Sequence, residues 1–445
     1  MTVISAPSID YQRLRDLCGG AVLIPGDHGY DSSRRACSVS VQSRPAAVAY
    51  PADAQEVSAL VRCAREMGLR IAVQSTGPHA GAVDGSLEDA VLVRTSALRG
   101  VEVDPERRAA RVGAGALWQD VVAATRPHGL AALHGAAPNT GVAGFTLGGG
   151  LGWLARRHGL QCNHLLAAEV VTASGEIVRT DAEREPDLFW ALRGGGGSFG
   201  VVTALELALL PLETVYAGVL AWDAAHADTV LARWSEWAAG APDDVTSSAR
   251  LVRLPWLSRL PETLRGRRLV TVDGAILGDD TRARELLRGL RQLRPEIDSF
   301  GRRSASTLLR RVGEIDAAAP VVSDHLVLDA LEPEVTARLV AAAEPGAGFP
   351  LRSVELRQLG GALSRTAPGA GALGAIDGAA LLHATGPAEN AGQRAAVGEQ
   401  LQRIRGAMAP WTGEGCFSAA TLLRMREVRA HLDPDGVFAG NAIPS

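Results

Sequence analysis

The stretch 52–67, ADAQEVSALVRCAREM, sets apolar side chains at helical spacing and predicts an amphipathic helix. The period then changes. A short apolar run at 71–73 stops in Ser75, Thr76, Gly77 and Pro78, a loop poor in bulky side chains that nevertheless carries an imidazole, His79. Next, AVLVRTSALRGVEVDPERRAARVGAGALW alternates short β-branched runs around DPER, the pattern of strands joined by a tight hairpin. LWQDVVAATRPHGL follows as a short helix ended near Pro127 to Gly129. Within 134–200, EVVTASGEIV reads as a strand pair, EPDLFWALRG as a helix, and the residues after GGGSFG as a strand.

From about Thr214 the texture differs. VYAGVLAW, VTSSARLVRL, RLVTVDGAIL, DHLVLDAL and RSVELRQLGG are strand-like, and Arg- and Ala-rich helices such as DTRARELLRGLRQLR lie between some of them. This predicts a second unit, an antiparallel sheet covered by helices. A last segment, AATLLRMREVRAHLDPDGVFAGNAIPS, predicts one helix, a DPDG turn and an extended tail. At 445 residues the chain is too long for one core, so an α+β protein of two or three substructures is expected.

Composition removes several function classes. The formal charge is −4 and the basic side chains are scattered arginines, so no stripe for nucleic acid and no cluster for an anionic membrane is expected. The longest apolar region, 201–222, is interrupted by Glu206, Pro211 and Glu213, which rules out a bilayer span. The N-terminus lacks a charged region followed by an apolar one, so no signal peptide is expected. Five widely spaced cysteines (18, 37, 63, 162, 416) form no CxxC, which points to a reducing cytoplasm. Ten dispersed histidines without HExxH predict no metal.

The glycines carry the chemistry. Gly195, Gly197 and Gly200 satisfy G-x-G-x-x-G, and Gly150, Gly152 and Ala155 satisfy its alanine variant. A dinucleotide fingerprint needs a strand before it and a helix after it, because the pyrophosphate sits on that helix. Gly195–Gly200 has the reverse context, which argues against a nicotinamide-type Rossmann fold. Glycine loops still cradle phosphate without that fold, through clustered backbone N–H groups and close backbone approach. Three such loops, 74–85, 134–152 and 194–200, lie between apolar strands with Phe145, Trp153 and Phe199, which flexible linkers do not carry. Together they predict a large, extended, phosphate-containing ligand.

HGAAPNTGVAGFTLGGGLGWLARRHGLQCNHLLAAEVVTASGEIV followed by DLFWALRGGGGSFGVVTALE resembles the FAD-linked oxidases of the vanillyl-alcohol oxidase superfamily, in particular the berberine-bridge-enzyme-like branch. The LDPDGVF…N ending is similar to that branch as well. The resemblance implies a PCMH-type FAD-binding domain over 1–212, with its core at about 40–212. It also implies a substrate-binding domain over 213–410, whose antiparallel sheet lies over the flavin ring, and a C-terminal segment, 411–445, that returns to the FAD domain. FAD contacts are then expected at Ser75, Thr76, Gly77, His79, His134, Pro138, Asn139, Thr140, Gly141, Gly144, Phe145, Gly148, Gly149, Gly200, Val201 and Asn441. His79 is the candidate for a tether to the flavin 8α-methyl, since a neutral imidazole nitrogen can add to an electrophilic flavin tautomer.

Three positions depart from the family pattern. Pro78 separates Gly77 from His79, where the family has glycine directly before histidine. Ala137 stands where doubly tethered members place a cysteine, which excludes a second bond. GCFSAAT lacks the tyrosine that many members use as base, and the four tyrosines (11, 30, 50, 216) lie elsewhere. Replacement groups are expected on the substrate-domain strands, where Glu355 and Arg357 alternate onto one face, with His383 and His325 as weaker candidates. The resemblance implies hydride transfer from a small, fairly apolar specialised metabolite to flavin N5, a base taking a proton, and reoxidation by O2. The alternative is a flavin-containing cyclase of the same fold that catalyses a non-redox cyclisation or rearrangement.

Overall fold

The computed structural model describes residues 9–19, 22–35, 43–77, 87–258, 260–309, 320–343, 350–413 and 415–440. Ala47–Ala49 and Arg70–Gln74 both pair in parallel with Ala90–Arg94, which lies between them, and Val22–Leu23 adds antiparallel at one edge. Parallel strands need a crossover. Helix Ala54–Glu66 supplies it between Ala47–Ala49 and Arg70–Gln74, burying Val57, Leu60, Val61 and Ala64. Asp53 fixes its start by accepting from the Glu56 N–H.

The DPER hairpin opens a second, antiparallel sheet. Its order is Val101–Asp104, Ala109–Gly113, Val201–Ala208, Leu165–Val171, Ile177–Thr180. A first core joins both sheets and includes Met425, Val428, Val437 and Phe438 from the C-terminal segment. That segment returns after helix Ala419–Leu432, where the buried Asp433 carboxylate accepts from Val437 N (2.7 Å) and Phe438 N (2.9 Å). The chain then runs beside Arg70–Gln74, with Ile71 N donating to Val437 O (2.7 Å) and Ala439 N donating to Ile71 O (2.8 Å).

The third sheet is antiparallel and eight-stranded. Its path is Ile297–Asp298, Thr214–Asp223, Arg268–Ile276, Val245–Arg253, Ser353–Gln358, Ala380–Pro387, Val321–Leu328, with Gly301–Ser304 also pairing to Thr214–Asp223. One face packs Leu220, Trp222, Val270, Val272, Leu356 and Leu382 against helices Ala227–Gly240, Asp280–Arg291, Pro333–Ala343 and Ala391–Met408, forming a second core. Strand Ala380–Pro387, which the sequence reading did not assign, alternates buried and half-buried residues along its length. Its alanines and glycine mute the β signal that this alternation would otherwise give.

The opposite face of that sheet is polar. Arg250 lies across from Thr271 on one side and Glu355 on the other; Glu355 lies across from His383, and His383 from His325. Directly opposed residues share a face, so five strands contribute to a single polar row. Arg250 and Asp273 form a buried ion pair there (3.1 Å), and Ser248 Oγ donates to Asp273 Oδ1 (3.0 Å). Leu133, Trp153 and Leu154 pack against Val215, Ala217 and Ala275 at one end of this face. The buried Arg156 clamps the two halves, donating to Val245 O (3.0 Å) and Ala241 O (3.2 Å).

Candidate active site

One cavity is walled by Ile71 to Gly77, by Thr140 to Gly148, by Gly196, Gly197, Gly200 and Val202, and by Ala439 and Gly440. Its free space, open mouth included, is about 1400 Å³. The 75–77 loop and the start of helix Val142–Leu147 meet here, with Gly141 N donating to Thr76 Oγ1 (3.4 Å). A Cβ on Gly141 would come within 2.6 Å of Ser75 Oγ, and one on Gly200 (φ +156°) within 2.5 Å of Val170 Cγ1. Glycine is therefore required for the loops to approach each other. At Gly144 and Gly197 a Cβ would meet nothing within 4 Å. There the missing side chains leave space that belongs to the cavity.

Ser75, Thr76, Gly77, Thr140, Gly141, Gly144, Phe145, Gly148 and Gly200 thus stand on one wall. His79 and Asn441 lie outside the described residues. Pro138, Asn139, Gly149 and Val201 adjoin the wall without lining it; Val201 is buried in the first core, and Gly149 sits under Leu373. Val202, one residue on from Val201, is the one that faces the cavity, because strand residues alternate sides. The sequence reading passed over Ile71 to Gln74, Leu92, Thr95, Ala114, Ala439 and Gly440. Apolar strand ends carry no motif, and only the position of the returning tail beside residue 71 brings 439 and 440 in.

His134 sits elsewhere. Its ring is buried near Trp118, with Nδ1 2.7 Å from Gly135 O. Burial pushes its pKa below the ordinary histidine value, against a smaller raising effect of that hydrogen bond. The unfolded chain takes up a proton near pH ~6.5 that the folded chain refuses. The stability owed to neutral His134 is therefore complete above that pH and is lost as pH falls toward the folded value. In urea melts between pH 7 and 5, His134→Asn is expected to flatten this acid limb, by at most about 1.4 kcal/mol per pH unit. Burial lowers His158 in the same way, so some acid sensitivity persists in the variant. An acid limb as steep as that of the parent chain would show that His134 does not act in this way.

The sheet brings Glu355, Arg357 and His383 together. Arg357 Nε and Nη2 both donate to Glu355 Oε1 at 3.1 Å, while Nη1 donates to Leu151 O at 3.1 Å. The guanidinium also lies 5.8 Å from the Trp153 ring centroid. Arg357 therefore spans from the sheet to the chain just beyond the Gly148–Gly150 turn, and it holds a buried carboxylate between the two. His325 is exposed at the far end of the row. Tyr30 donates to Pro45 O (2.6 Å), and no tyrosine lines the cavity among the described residues. Burial pushes the Cys18 and Cys162 thiols up to about 12, so neither is a thiolate nucleophile at neutral pH. Among the described residues no group of three His, Cys, Asp or Glu could hold a metal, and no helix is long and apolar enough to cross a membrane.

Residues 45–181 match the FAD binding domain family. The chain is similar to (R)-6-hydroxynicotine oxidase of Paenarthrobacter nicotinovorans, 34% identical over 46% of this chain and 44% of that enzyme. The chain spans less than half the length of that curated relative. Its fold is that of 6-hydroxy-D-nicotine oxidase from Arthrobacter nicotinovorans, with TM-score 0.83 and 23% identity over 100% of both chains. It is also that of a BBE-like protein of Physcomitrella patens, with TM-score 0.80 and 18% identity over 97% of this chain and 99% of that one. Residues 45–181 are thus an FAD binding domain whose glycine loops converge on one cavity, continued by a helix-backed antiparallel sheet, and the chain is similar to FAD-linked oxidases.

Proposed function

We propose that the chain is an FAD-dependent oxidase of a small, fairly apolar specialised metabolite. In this reading residues 1–212 and 411–445 hold FAD, and residues 213–410 cover the substrate. The observation that carries it is the cavity itself, whose wall is apolar, rich in glycine and hydroxyl groups, and among the described residues bare of charged side chains. Such a wall suits a flat aromatic ring and leaves backbone N–H groups to meet phosphate. FAD supplies a hydride acceptor at N5 that O2 restores.

The protein's part is to bind, orient and move a proton. Ser75, Thr76 and Thr140 offer hydroxyl donors where the two loops meet. Glu355 is the proton acceptor, since it is a buried carboxylate on the polar sheet face. Arg357 orients it through two hydrogen bonds to Oε1. His383, directly across the strand pair from Glu355, is the second group able to carry the proton. Trp153 and its apolar neighbours flank that face and suit an apolar substrate.

The colour of the protein tests the cofactor reading. Acid precipitation is expected to leave yellow colour in the pellet, and His79→Ala to release it to the supernatant. Colour staying in the pellet of the variant would remove His79 as the tether. The non-redox cyclase reading is favoured by the lack of a tyrosine on the cavity wall among the described residues. Anaerobic mixing with substrate decides between the two: bleaching of the flavin band is expected, and turnover with neither bleaching nor O2 uptake would sink the oxidase.

A further inference from the structure

We propose that Arg94 and Gln74 form a paired donor site for the diphosphate of FAD. Both residues end strands of the parallel sheet, and the register sets them directly opposite each other. Two residues earlier on the same strands, Ala72 and Leu92 form the preceding pair, and both line the cavity. Side chains two apart on a strand share a face, so Arg94 and Gln74 emerge on the cavity side. Gln74 and Thr95 are themselves on the wall.

Three of their donor nitrogens lack partners: among the described residues Arg94 Nε and Nη1 and Gln74 Nε2 are buried and make no hydrogen bond. Many other arginines of this protein are paired with carboxylates. Buried guanidinium nitrogens without an acceptor are costly, and donors left in that condition require an explanation. The wall supplies one, because among the described residues no charged side chain lines it. A diphosphate brought there would bring negative charge to that wall, and Arg94 stands beside it, between the wall residues Leu92 and Thr95. Arg94 answers that charge with planar, paired donors suited to phosphate oxygens, and Gln74 adds a neutral N–H beside it. The carboxyl ends of parallel strands are also where open sheets receive ligands.

This inference rests on the FAD reading, and its test separates the two. In a His79→Ala background, flavin-free protein is titrated with FAD and with riboflavin, which lacks the diphosphate. Arg94→Met is expected to weaken FAD about tenfold to a hundredfold, the range for hydrogen bonds to a charged group. The salt dependence of FAD binding should be lost with it, while riboflavin binding is unchanged. Arg94→Lys, which keeps the charge and loses the fork, is expected to fall between. Should Arg94→Met fail to fold, Gln74→Leu carries the same comparison with a smaller loss confined to FAD. Equal weakening of FAD and riboflavin, or unchanged FAD binding, would overturn the pair. If the His79→Ala protein bound neither flavin, the FAD reading would fall and the pair with it.

Discussion

Gly144→Leu is expected to cut flavin content at least about tenfold while leaving the flavin-free protein as stable as before, or slightly more so. Gly144 lies inside helix Val142–Leu147, where glycine costs roughly 0.5–1 kcal/mol relative to alanine. Among the described residues a Cβ there meets nothing within 4 Å beyond its own helix and chain neighbours, although the residue lines the cavity. The added side chain therefore projects into cavity space. Gly141→Ala is the contrast. Its Cβ would meet Ser75 Oγ at 2.6 Å and Ser75 Cβ at 3.2 Å, so stability and flavin content should fall together. The ratio of flavin absorbance to protein absorbance and the urea midpoint of each variant check both statements. Full flavin content in Gly144→Leu would mean that the cofactor lies somewhere else.

The second large effect is expected at Glu355. With a substrate that bleaches the parent protein, Glu355→Gln should slow anaerobic flavin reduction by about 10²–10⁴, the contribution of a positioned general base. The amide oxygen can still accept from Arg357, so flavin content and fold are expected to persist. The pH profile adds a readout that a structural role would not move: the acid limb of the reduction rate should vanish in the variant. A reduction rate and pH profile like those of the parent would transfer the proton to another group, His383 first, since it faces Glu355 across the strand pair.

Much of the fold is legible along the chain. Helix Ala54–Glu66, the hairpin around DPER and strands Leu165–Val171 and Ile177–Thr180 follow the apolar period closely. Each is a local pattern with its own caps or turn, so neighbours within a dozen residues decide it. The order helix, glycine run, strand at 186–208 was legible in the same way and correctly argued against a Rossmann reading. Strand Ala380–Pro387 escaped because its residues are weak β-formers whose place is set by pairing with two strands distant in sequence. Val201 was taken for Val202 because a one-residue choice of strand face depends on partners that the sequence does not name.

Two results belong to the sequence itself: three glycine-rich loops built to approach a phosphate ligand, and an α+β chain with an antiparallel sheet in its second part. Both follow from conformational freedom and periodicity, which are properties of short stretches. Tertiary structure alone set Arg94 beside Gln74, brought Ala439 and Gly440 to the cavity, and aligned Arg250, Glu355 and His383 in one polar row. These groups are separated by 20 to some 360 residues. Their adjacency depends on which strand faces are buried, and that is settled only when the sheets pack and each register locks against its neighbour.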